Sequence, residues 1–311
     1  MRVVFLGSGR FAIPSFEALL DAGHDVAALV TQPDKEKGRG RELAPPPLKP
    51  VALARGVPVL QPRRVREPAV QEELRSLRPE LQVVVAYGQI LPKAVIDTAP
   101  LGTVNVHASL LPRLRGAAPI QWAIARGDAE TGVTTMLIDE GLDTGPMLLS
   151  RSTSIGPEET ASDLESRLAR LGADVLLDTV GGLADGSLKA VPQDHALATL
   201  APLLKKEDGR LDWSRAAHEL ANQVRGFHPW PGAYTTVGGR VLKVRKAAVA
   251  PPGGGEPGTM VEVARQALVV SAGGGTRLAL QEVQPESRRP MSGAAYAAGA
   301  RLERGARLGG P

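Results

Sequence analysis

Short apolar runs alternate with longer amphipathic stretches along the N-terminal part of the chain. Five of the runs have the length and the β-branched content of buried strands: RVVFL (2–6), DVAALVT (25–31), LQVVVAY (81–87), TVNVHA (103–108) and GVTTMLID (132–139). Segments with the apolar spacing of helices lie between them. Strands that alternate with helices predict an α/β domain, with a doubly wound, mostly parallel sheet that helices cover on both faces.

The pattern changes after a long amphipathic segment over 163–183, which we predict to be the last helix of this domain. Residues 187–207 contain two prolines and show no clean period, so we predict an extended linker with a basic end. Beyond it, hairpin patterns over 234–250 and 267–284 predict a small OB-like β-barrel. The predicted domains are therefore 1–186 and 208–311, joined by the linker over 187–207.

The composition limits the classes of protein that fit the chain. The 311 residues include no cysteine, which excludes a disulfide scaffold and a thiolate metal site. The chain has no apolar stretch of transmembrane length and no cleavage-like segment at its start, so we expect a cytoplasmic protein that does not contact membranes. The formal net charge is +4, and basic residues concentrate in the C-terminal third, a distribution that allows binding of nucleic acid.

A glycine-containing turn follows the first predicted strand. Residues 7–12, GSGRFA, match the dinucleotide-binding pattern G-x-G-x-x-A. That pattern also needs an acidic residue at the end of the second strand, whereas this strand ends in Thr31, Gln32 and Pro33. We therefore interpret residues 7–12 as a tight turn from strand to helix.

Two polar residues, Asn105 and His107, interrupt the fourth apolar run. Positions two apart share one face of a strand and lie about 6.6 Å apart along it. The pair is close to the carboxyl end of the strand, where open α/β sheets bind their ligands. Asp143 follows the next run, so we expect its loop to emerge from the same edge of the sheet and to converge with Asn105 and His107.

The chemistry open to these three residues is limited, because the chain has no nucleophile elbow, no HExxH motif and no Walker loop. An Asn amide and a His N–H can stabilise an oxyanion, and a carboxylate can orient the imidazole and collect protons through water. The residues favour acyl transfer to a nucleophile that the substrate supplies, with no covalent enzyme intermediate and no metal.

Three motifs resemble those of the 10-formyltetrahydrofolate-dependent formyltransferases: NVHASLLP (105–112), RGAAPI (115–120) and DTGP (143–146). Further motifs, such as AYGQILP (86–92) and PWPGAY (229–234), resemble the members of that family that act on initiator tRNA. The resemblance runs in order over nearly the whole chain. It implies transfer of the formyl group from 10-formyltetrahydrofolate to the α-amino group of initiator methionyl-tRNA.

The resemblance also implies roles for individual residues. Asn105, His107 and Asp143 match the catalytic trio of the family. The residues that match folate-contacting positions are Tyr87, Gly88, Gln89, Ile90, Ser109, Leu110, Leu111 and Pro112. The residues expected to bind tRNA are Arg39, Arg41, Lys205 and Lys206. Arg39 and Arg41 lie in a basic loop over 33–47, which is either a flexible solvent-exposed loop or a segment that becomes ordered when it binds RNA. We expect the enzyme to be a monomer.

Two alternatives stay open. A folate-dependent formyltransferase that acts on a nucleotide-linked sugar or on glycinamide ribonucleotide would keep the first domain but would not need a basic second domain. A non-catalytic RNA-binding protein would keep the basic domain but would not need the trio. In the second domain we interpret Trp213, Trp230 and Tyr234 as core residues and not as RNA contacts.

Overall fold

The computed structural model describes residues 1–37 and 42–310. The chain forms two compact units. Unit 1 consists of Met1–Pro119, Thr131–Thr153 and Glu165–Ala201, and unit 2 consists of Ile120–Glu130, Ser154–Leu164 and Pro202–Pro311. Among the described helices, none is both long enough and apolar enough to cross a membrane.

The strands of unit 1 form one large sheet and one short hairpin. In chain order they are β1 (Arg2–Gly7), β2 (Asp25–Val30), β3 (Lys35–Lys37), β4 (Glu42–Ala44), β5 (Val59–Leu60), β6 (Leu81–Val85), β7 (Thr103–His107), β8 (Glu130–Leu137) and β9 (Met147–Ser154). The hairpin is β3–β4, and the large sheet has the order β5-β2-β1-β6-β7-β8-β9. The pairs from β5 to β7 are parallel, which confirms the predicted mostly parallel sheet.

The helices of the chain are α1 (Ile13–Asp21), α2 (Leu48–Ala54), α3 (Pro68–Ser76), α4 (Lys93–Ile96), α5 (Pro119–Arg126), α6 (Ala161–Ala184), α7 (Ala217–Gly226) and α8 (Gly293–Gly299). The predicted long helix is α6, which covers one face of β7 and β8. An added Cβ at Gly172 of α6 would lie 3.1 Å from a methyl carbon of Val106. Because side chains alternate along a strand, Asn105 and His107 lie on the face of β7 opposite to α6.

The direction of β8 differs from the prediction. β8 is antiparallel to β7, with Leu137 opposite Val104 and Thr134 opposite His107. The chain therefore leaves β8 beside the start of β7, and the expectation that Asp143 emerges from the edge where β7 ends is wrong. The apolar pattern of a strand records which side chains are buried but does not record in which direction the strand runs.

Residues 187–201 pack on unit 1 and do not form an extended linker. The backbone N–H of Arg115 donates to the carbonyl of Thr199 at 2.8 Å, and the N–H of Ala201 donates to the carbonyl of Arg115 at 2.7 Å. The N–H of Leu114 donates to the Thr199 hydroxyl at 2.9 Å. These bonds join the segment to residues about 80 positions earlier, a pairing that local periodicity does not encode.

Unit 2 is built around an antiparallel, barrel-like sheet. Its strands are β10 (Ala233–Val237), β11 (Arg240–Ala250), β12 (Met260–Ala264), β13 (Ala267–Ala272), β14 (Thr276–Pro285) and β15 (Met291–Ser292). The sheet has the order β10-β11-β14-β13-β12, with β15 beside β14, and both predicted hairpins are present. Trp213 is buried in the core of unit 2, as predicted. Trp230 is 55% exposed in a turn after α7, so its assignment to the core is wrong.

Candidate active site

Asn105 lies in the middle of β7, between Val84 on β6 and Met136 on β8. Its side chain is partly buried, and in the described part of the chain its amide has no hydrogen-bond partner. By contrast, the buried side-chain amide of Gln82 on the neighbouring strand β6 does have a partner, because it donates to the carbonyl of Val95 at 2.7 Å. The Asn105 amide is therefore a donor that remains available to a ligand.

His107 is the last residue of β7, and only 6% of it is exposed. Its Nε2 lies 3.0 Å from the carbonyl oxygen of Leu114, and its Nδ1 lies 3.7 Å from Oδ2 of Asp143. Because a carbonyl oxygen only accepts, this contact assigns a proton to Nε2. The distance of 3.7 Å is too long for a hydrogen bond, so the Asp143 carboxylate faces Nδ1 but is not hydrogen-bonded to it.

Asp143 reaches His107 because the loop between β8 and β9 turns back along β7. Its Oδ2 accepts a hydrogen bond of 2.8 Å from the backbone N–H of Gly116. Its backbone has a φ of 51°, in the left-handed region, which is uncommon for residues other than glycine but is adopted by aspartate more often than by most. At Gly145, an added Cβ would lie 1.8 Å from the carbonyl oxygen of Leu137, so the loop also depends on a residue without a side chain.

The structure adds two buried residues to the site that the sequence interpretation missed, Arg115 and Gln193. The Gln193 amide donates to the carbonyl of Asp143 at 2.9 Å and to that of Gly145 at 2.7 Å. Its Oε1 accepts from the Arg115 guanidinium at 3.1 and 2.7 Å. Arg115 belongs to the RGAAPI motif, which could have indicated it, whereas no local signal marks Gln193.

The stretch 109–112 follows β7 directly and is fixed by Thr134 of β8. The Thr134 hydroxyl donates to the carbonyl of Ser109 at 2.7 Å and accepts from the N–H of Leu111 at 3.2 Å. Ser109 is fully buried, and its own hydroxyl donates to the carbonyl of Arg113 at 2.7 Å. This tight turn leaves Leu110 and Pro112 partly exposed.

Residues 87–90 follow β6, the parallel neighbour of β7, and their side chains differ in environment. Tyr87 lies in an apolar cluster, where burial raises the pKa of its phenol to about 12. The Gln89 side chain accepts from the N–H of Val65 at 2.9 Å. Gly88 is exposed and Ile90 is 93% exposed, so these two positions offer surface to a ligand.

The residues expected to bind tRNA divide between the described and undescribed parts of the chain. Arg39 and Arg41 lie outside the described residues. Lys205 and Lys206 are exposed at a 3-10 helix of unit 2 (Lys206–Gly209). Lys206 also lines a cleft of about 720 Å³, together with Trp230, Tyr234 and Lys243. In residues 1–37 and 42–310, no group of three or more His, Asp or Glu side chains is arranged to hold a metal ion.

Models of two protein domains match the chain. The Formyl transferase model matches residues 1–180, and the Formyl transferase, C-terminal domain model matches residues 203–301. The chain belongs to the formyl transferase family.

Relatives agree with this membership, and a solved structure shares the fold. The formyl transferase described here is 49% identical over 309 residues to a protein of Geobacter metallireducens named methionyl-tRNA formyltransferase, covering 99% of both chains. It is 52% identical over 310 residues to a protein of the same name from Solibacter usitatus, again covering 99% of both chains. An N-formyltransferase from Helicobacter canadensis, solved with folinic acid and dTDP-3-aminofucose, covers 91% of this formyl transferase and 98% of its own chain, with 17% identity and a TM-score of 0.69. The last likeness concerns the fold alone.

Proposed function

We propose that this formyl transferase transfers the formyl group of 10-formyltetrahydrofolate to the α-amino group of initiator methionyl-tRNA. The observation that carries the proposal is identity of 49% and 52%, over 99% of the chain, to proteins named methionyl-tRNA formyltransferase. These matches include the barrel-like unit 2. We further propose that the enzyme works in the cytoplasm as a monomer.

Asn105 and His107 are the proposed oxyanion donors. When an amine attacks the formyl carbon, negative charge develops on the formyl oxygen, and fixed N–H donors stabilise it. The Asn105 amide suits this role because no described group occupies it. His107, when doubly protonated, supplies a second donor from Nδ1, since Nε2 is already bonded to the carbonyl of Leu114.

Asp143 is the proposed proton relay. Its carboxylate faces Nδ1 of His107 at 3.7 Å and stabilises positive charge on the ring. As the new bond from the amine to the formyl carbon forms and the old bond to the folate nitrogen breaks, one proton must move from the amine to that nitrogen. We propose that Asp143 carries this proton through water, because its Oδ1 is not needed for the bond from Gly116 to Oδ2.

The proposed folate site lies where two neighbouring parallel strands end. Residues 87–90 follow β6 and residues 109–112 follow β7, so both stretches lie at one edge of the sheet. In this proposal Gly88, Ile90, Leu110 and Pro112 offer exposed or partly exposed surface to the folate. The buried Tyr87, Ser109 and Leu111 and the partly buried Gln89 act by holding the backbone of the two stretches in place.

The proposed tRNA contacts are Lys205 and Lys206, with Arg39 and Arg41 from the sequence alone. Exposed lysines attract phosphates and set affinity without selecting a sequence. The exposed ring of Trp230 borders the same cleft as Lys206, so this face of unit 2 combines positive charge with an aromatic surface.

Labelled formyl transfer to three acceptors tests the function. The full chain is incubated with 10-formyltetrahydrofolate labelled in its formyl group and with charged initiator tRNA, a nucleotide-linked amino sugar or glycinamide ribonucleotide. We expect label on methionyl-tRNA, and none on uncharged tRNA, which lacks the amine. A higher kcat/KM for either small acceptor would overturn the proposal, and tRNA binding without any transfer would favour a non-catalytic RNA-binding protein.

A further inference from the structure

A short stretch of unit 1, residues 193–201, holds the two loops that carry the partners of His107. We call residues 193–201 the positioning segment. Thr199 of this segment binds the backbone of Leu114, whose carbonyl in turn accepts from His107. Gln193 of the same segment binds the carbonyl of Asp143. The two partners of the imidazole therefore depend on one piece of chain.

Gln193 is the most constrained residue of the positioning segment. It is 5% exposed, and its amide nitrogen donates to the carbonyls of Asp143 and Gly145 and also contacts the sulfur of Met136 at 3.8 Å. Arg115 fixes the opposite end of the amide, because its guanidinium donates twice to Oε1. The amide cannot rotate without losing these bonds.

The side chain of Arg115 is also hydrogen-bonded to a residue at the surface. The guanidinium is buried, and it donates to Nδ1 of the exposed His195 at 3.2 Å from both terminal nitrogens. In the part of the chain that the structure describes, the hydrogen-bond partners of this cation are neutral groups. A charged side chain is costly to bury without hydrogen bonds, and these contacts supply an acceptor to each of the three guanidinium nitrogens.

The backbone of Asp143 has a restraint of its own. Its φ of 51° lies in the left-handed region, which is uncommon for a residue other than glycine, and the N–H of Gly116 bonds only to the carboxylate. Gln193 supplies the complementary restraint on the backbone, on both sides of Thr144, through the carbonyls of Asp143 and Gly145.

We propose that Gln193, fixed by Arg115, is a positioning residue that keeps the Asp143 carboxylate beside His107. The proposal rests on the catalytic role proposed for Asp143. Displacing a catalytic group by about 1 Å costs about 100-fold in rate. Loss of the two Gln193 donors should therefore lower kcat and leave the KM for folate and for tRNA nearly unchanged.

Gln193→Glu and Gln193→Met test the proposal in the full chain. Gln193→Glu keeps an acceptor for Arg115 but loses both donors, and Gln193→Met keeps the length of the side chain and loses every hydrogen bond. We expect kcat to fall at least tenfold in both variants, while each KM changes less than about threefold.

Gln223 of unit 2 provides a matched control. It is also 5% exposed, donates to the carbonyls of Asp208 and Arg210 at 2.7 and 3.1 Å, and accepts from Arg215 at 3.4 Å. Gln223→Glu makes the same chemical change at the same burial, far from Asp143 in the sequence. If Gln223→Glu and Gln193→Glu lowered kcat equally at equal Tm, the effect would be general destabilisation, and the proposal would be wrong.

A double variant separates positioning from a merely structural role. If Gln193 acts through Asp143, Gln193→Glu should cost less than about twofold in kcat once Asp143→Asn is present. If the kcat loss of the double variant equalled the product of the two single losses, the proposal would be wrong. A normal rate for Asp143→Asn alone would instead contradict the catalytic role of Asp143, and a normal rate for a folded Gln193→Glu would contradict only the positioning role.

His195→Ala keeps the test usable if the Gln193 variants do not fold. His195 is exposed, so its replacement leaves the core intact and removes only one of the two acceptors of Arg115, while Oε1 of Gln193 remains. We expect a smaller fall in kcat, about twofold to fivefold, that disappears in the Asp143→Asn background. An unchanged kcat in a variant with unchanged Tm would count against the chain of contacts from Arg115 to Asp143.

Discussion

Two buried glutamines make the same kind of contacts in two different regions of the molecule. Gln193 in unit 1 and Gln223 in unit 2 each donate to two backbone carbonyls and accept from an arginine. Gln193 binds a loop whose carboxylate points at a buried imidazole, whereas Gln223 binds a turn next to the exposed Lys206. The same set of hydrogen bonds can therefore hold the loop of a reacting group or a loop at the surface. Whether the rate or the tRNA affinity depends on such a glutamine is set by the loop that it binds.

The largest effects should come from the candidate donors of unit 1. We expect Asn105→Ala and His107→Ala each to lower kcat by about 10²- to 10³-fold, because each removes a proposed oxyanion donor. The affinity for tRNA should stay near normal, since these residues lie far from the exposed lysines in sequence and in a different unit. Single-turnover formyl transfer, measured beside filter binding, checks both expectations.

Asn222→Ala serves as the control for these variants. Asn222 is an asparagine of unit 2 whose amide oxygen accepts from Arg225. Removing this amide should lower the free energy of unfolding and leave kcat unchanged. Near-normal kcat values for Asn105→Ala and His107→Ala would show that neither residue is an oxyanion donor.

The next largest effect should come from the loop that carries Asp143. In Gly145→Ala the new methyl group would meet the carbonyl oxygen of Leu137 at 1.8 Å, so the loop must move. We expect kcat to fall about 10- to 100-fold, because Asp143 is only two residues away. Steady-state kinetics together with the Tm measures the effect.

Gly181→Ala is the matched substitution in α6, where an added Cβ meets nothing within 4 Å. Alanine in a helix is favoured over glycine by up to about 1 kcal/mol, so this variant should have a slightly higher Tm and an unchanged kcat. A fall in kcat in both variants would mean that the rate is sensitive to glycine replacement in general and not to this loop.

A moderate effect should come from the exposed lysines of unit 2. Lys205→Gln and Lys206→Gln should each weaken tRNA binding and lower the slope of log affinity against log salt by about one unit per lost phosphate contact. Titrations over a salt series measure the slope. Lys189→Gln, at an exposed lysine of unit 1, should leave the slope unchanged. Equal slopes in all three variants would show that Lys205 and Lys206 do not supply phosphate contacts.

The smallest effect should be a pH-dependent change in stability caused by Glu165, which lies outside the candidate active site. Burial raises the pKa of Glu165 in α6, only partly offset by the charge of Arg10. The folded state therefore holds this proton more tightly than the unfolded state, so stability is lost as the pH rises through and above the ordinary range of a glutamate. Glu165→Gln should give a slightly higher Tm at pH 7 and an unchanged Tm near pH 4.

Glu73→Gln in α3 changes the net charge equally at an exposed position and is the control for Glu165→Gln. Thermal unfolding of both variants at the two pH values measures the difference. A higher Tm of Glu165→Gln at pH 4 as well would attribute the gain to packing and not to ionisation.

Much of the fold could be predicted because the responsible signals are local. The five apolar runs became β1, β2, β6, β7 and β8, and the two hairpin patterns became β10–β11 and β13–β14. The sequence does not predict the short strands β5 and β12 or the edge strand β9, since many of their side chains are exposed and none of the three has an apolar run of strand length. Trp230 was assigned to the core on its residue type alone, although it lies in an exposed turn.

The amino-acid sequence is enough to place Asn105 and His107 on one face of a strand, because alternation along β7 depends only on neighbouring residues. How Asp143 reaches His107 depends instead on the packing of unit 1. β8 runs antiparallel to β7, its following loop turns back to His107, and that loop is held by Gln193, which bonds to Arg115 from 78 residues away. The strand's direction and these distant hydrogen bonds depend on how the whole unit packs, and no local period in the sequence records them.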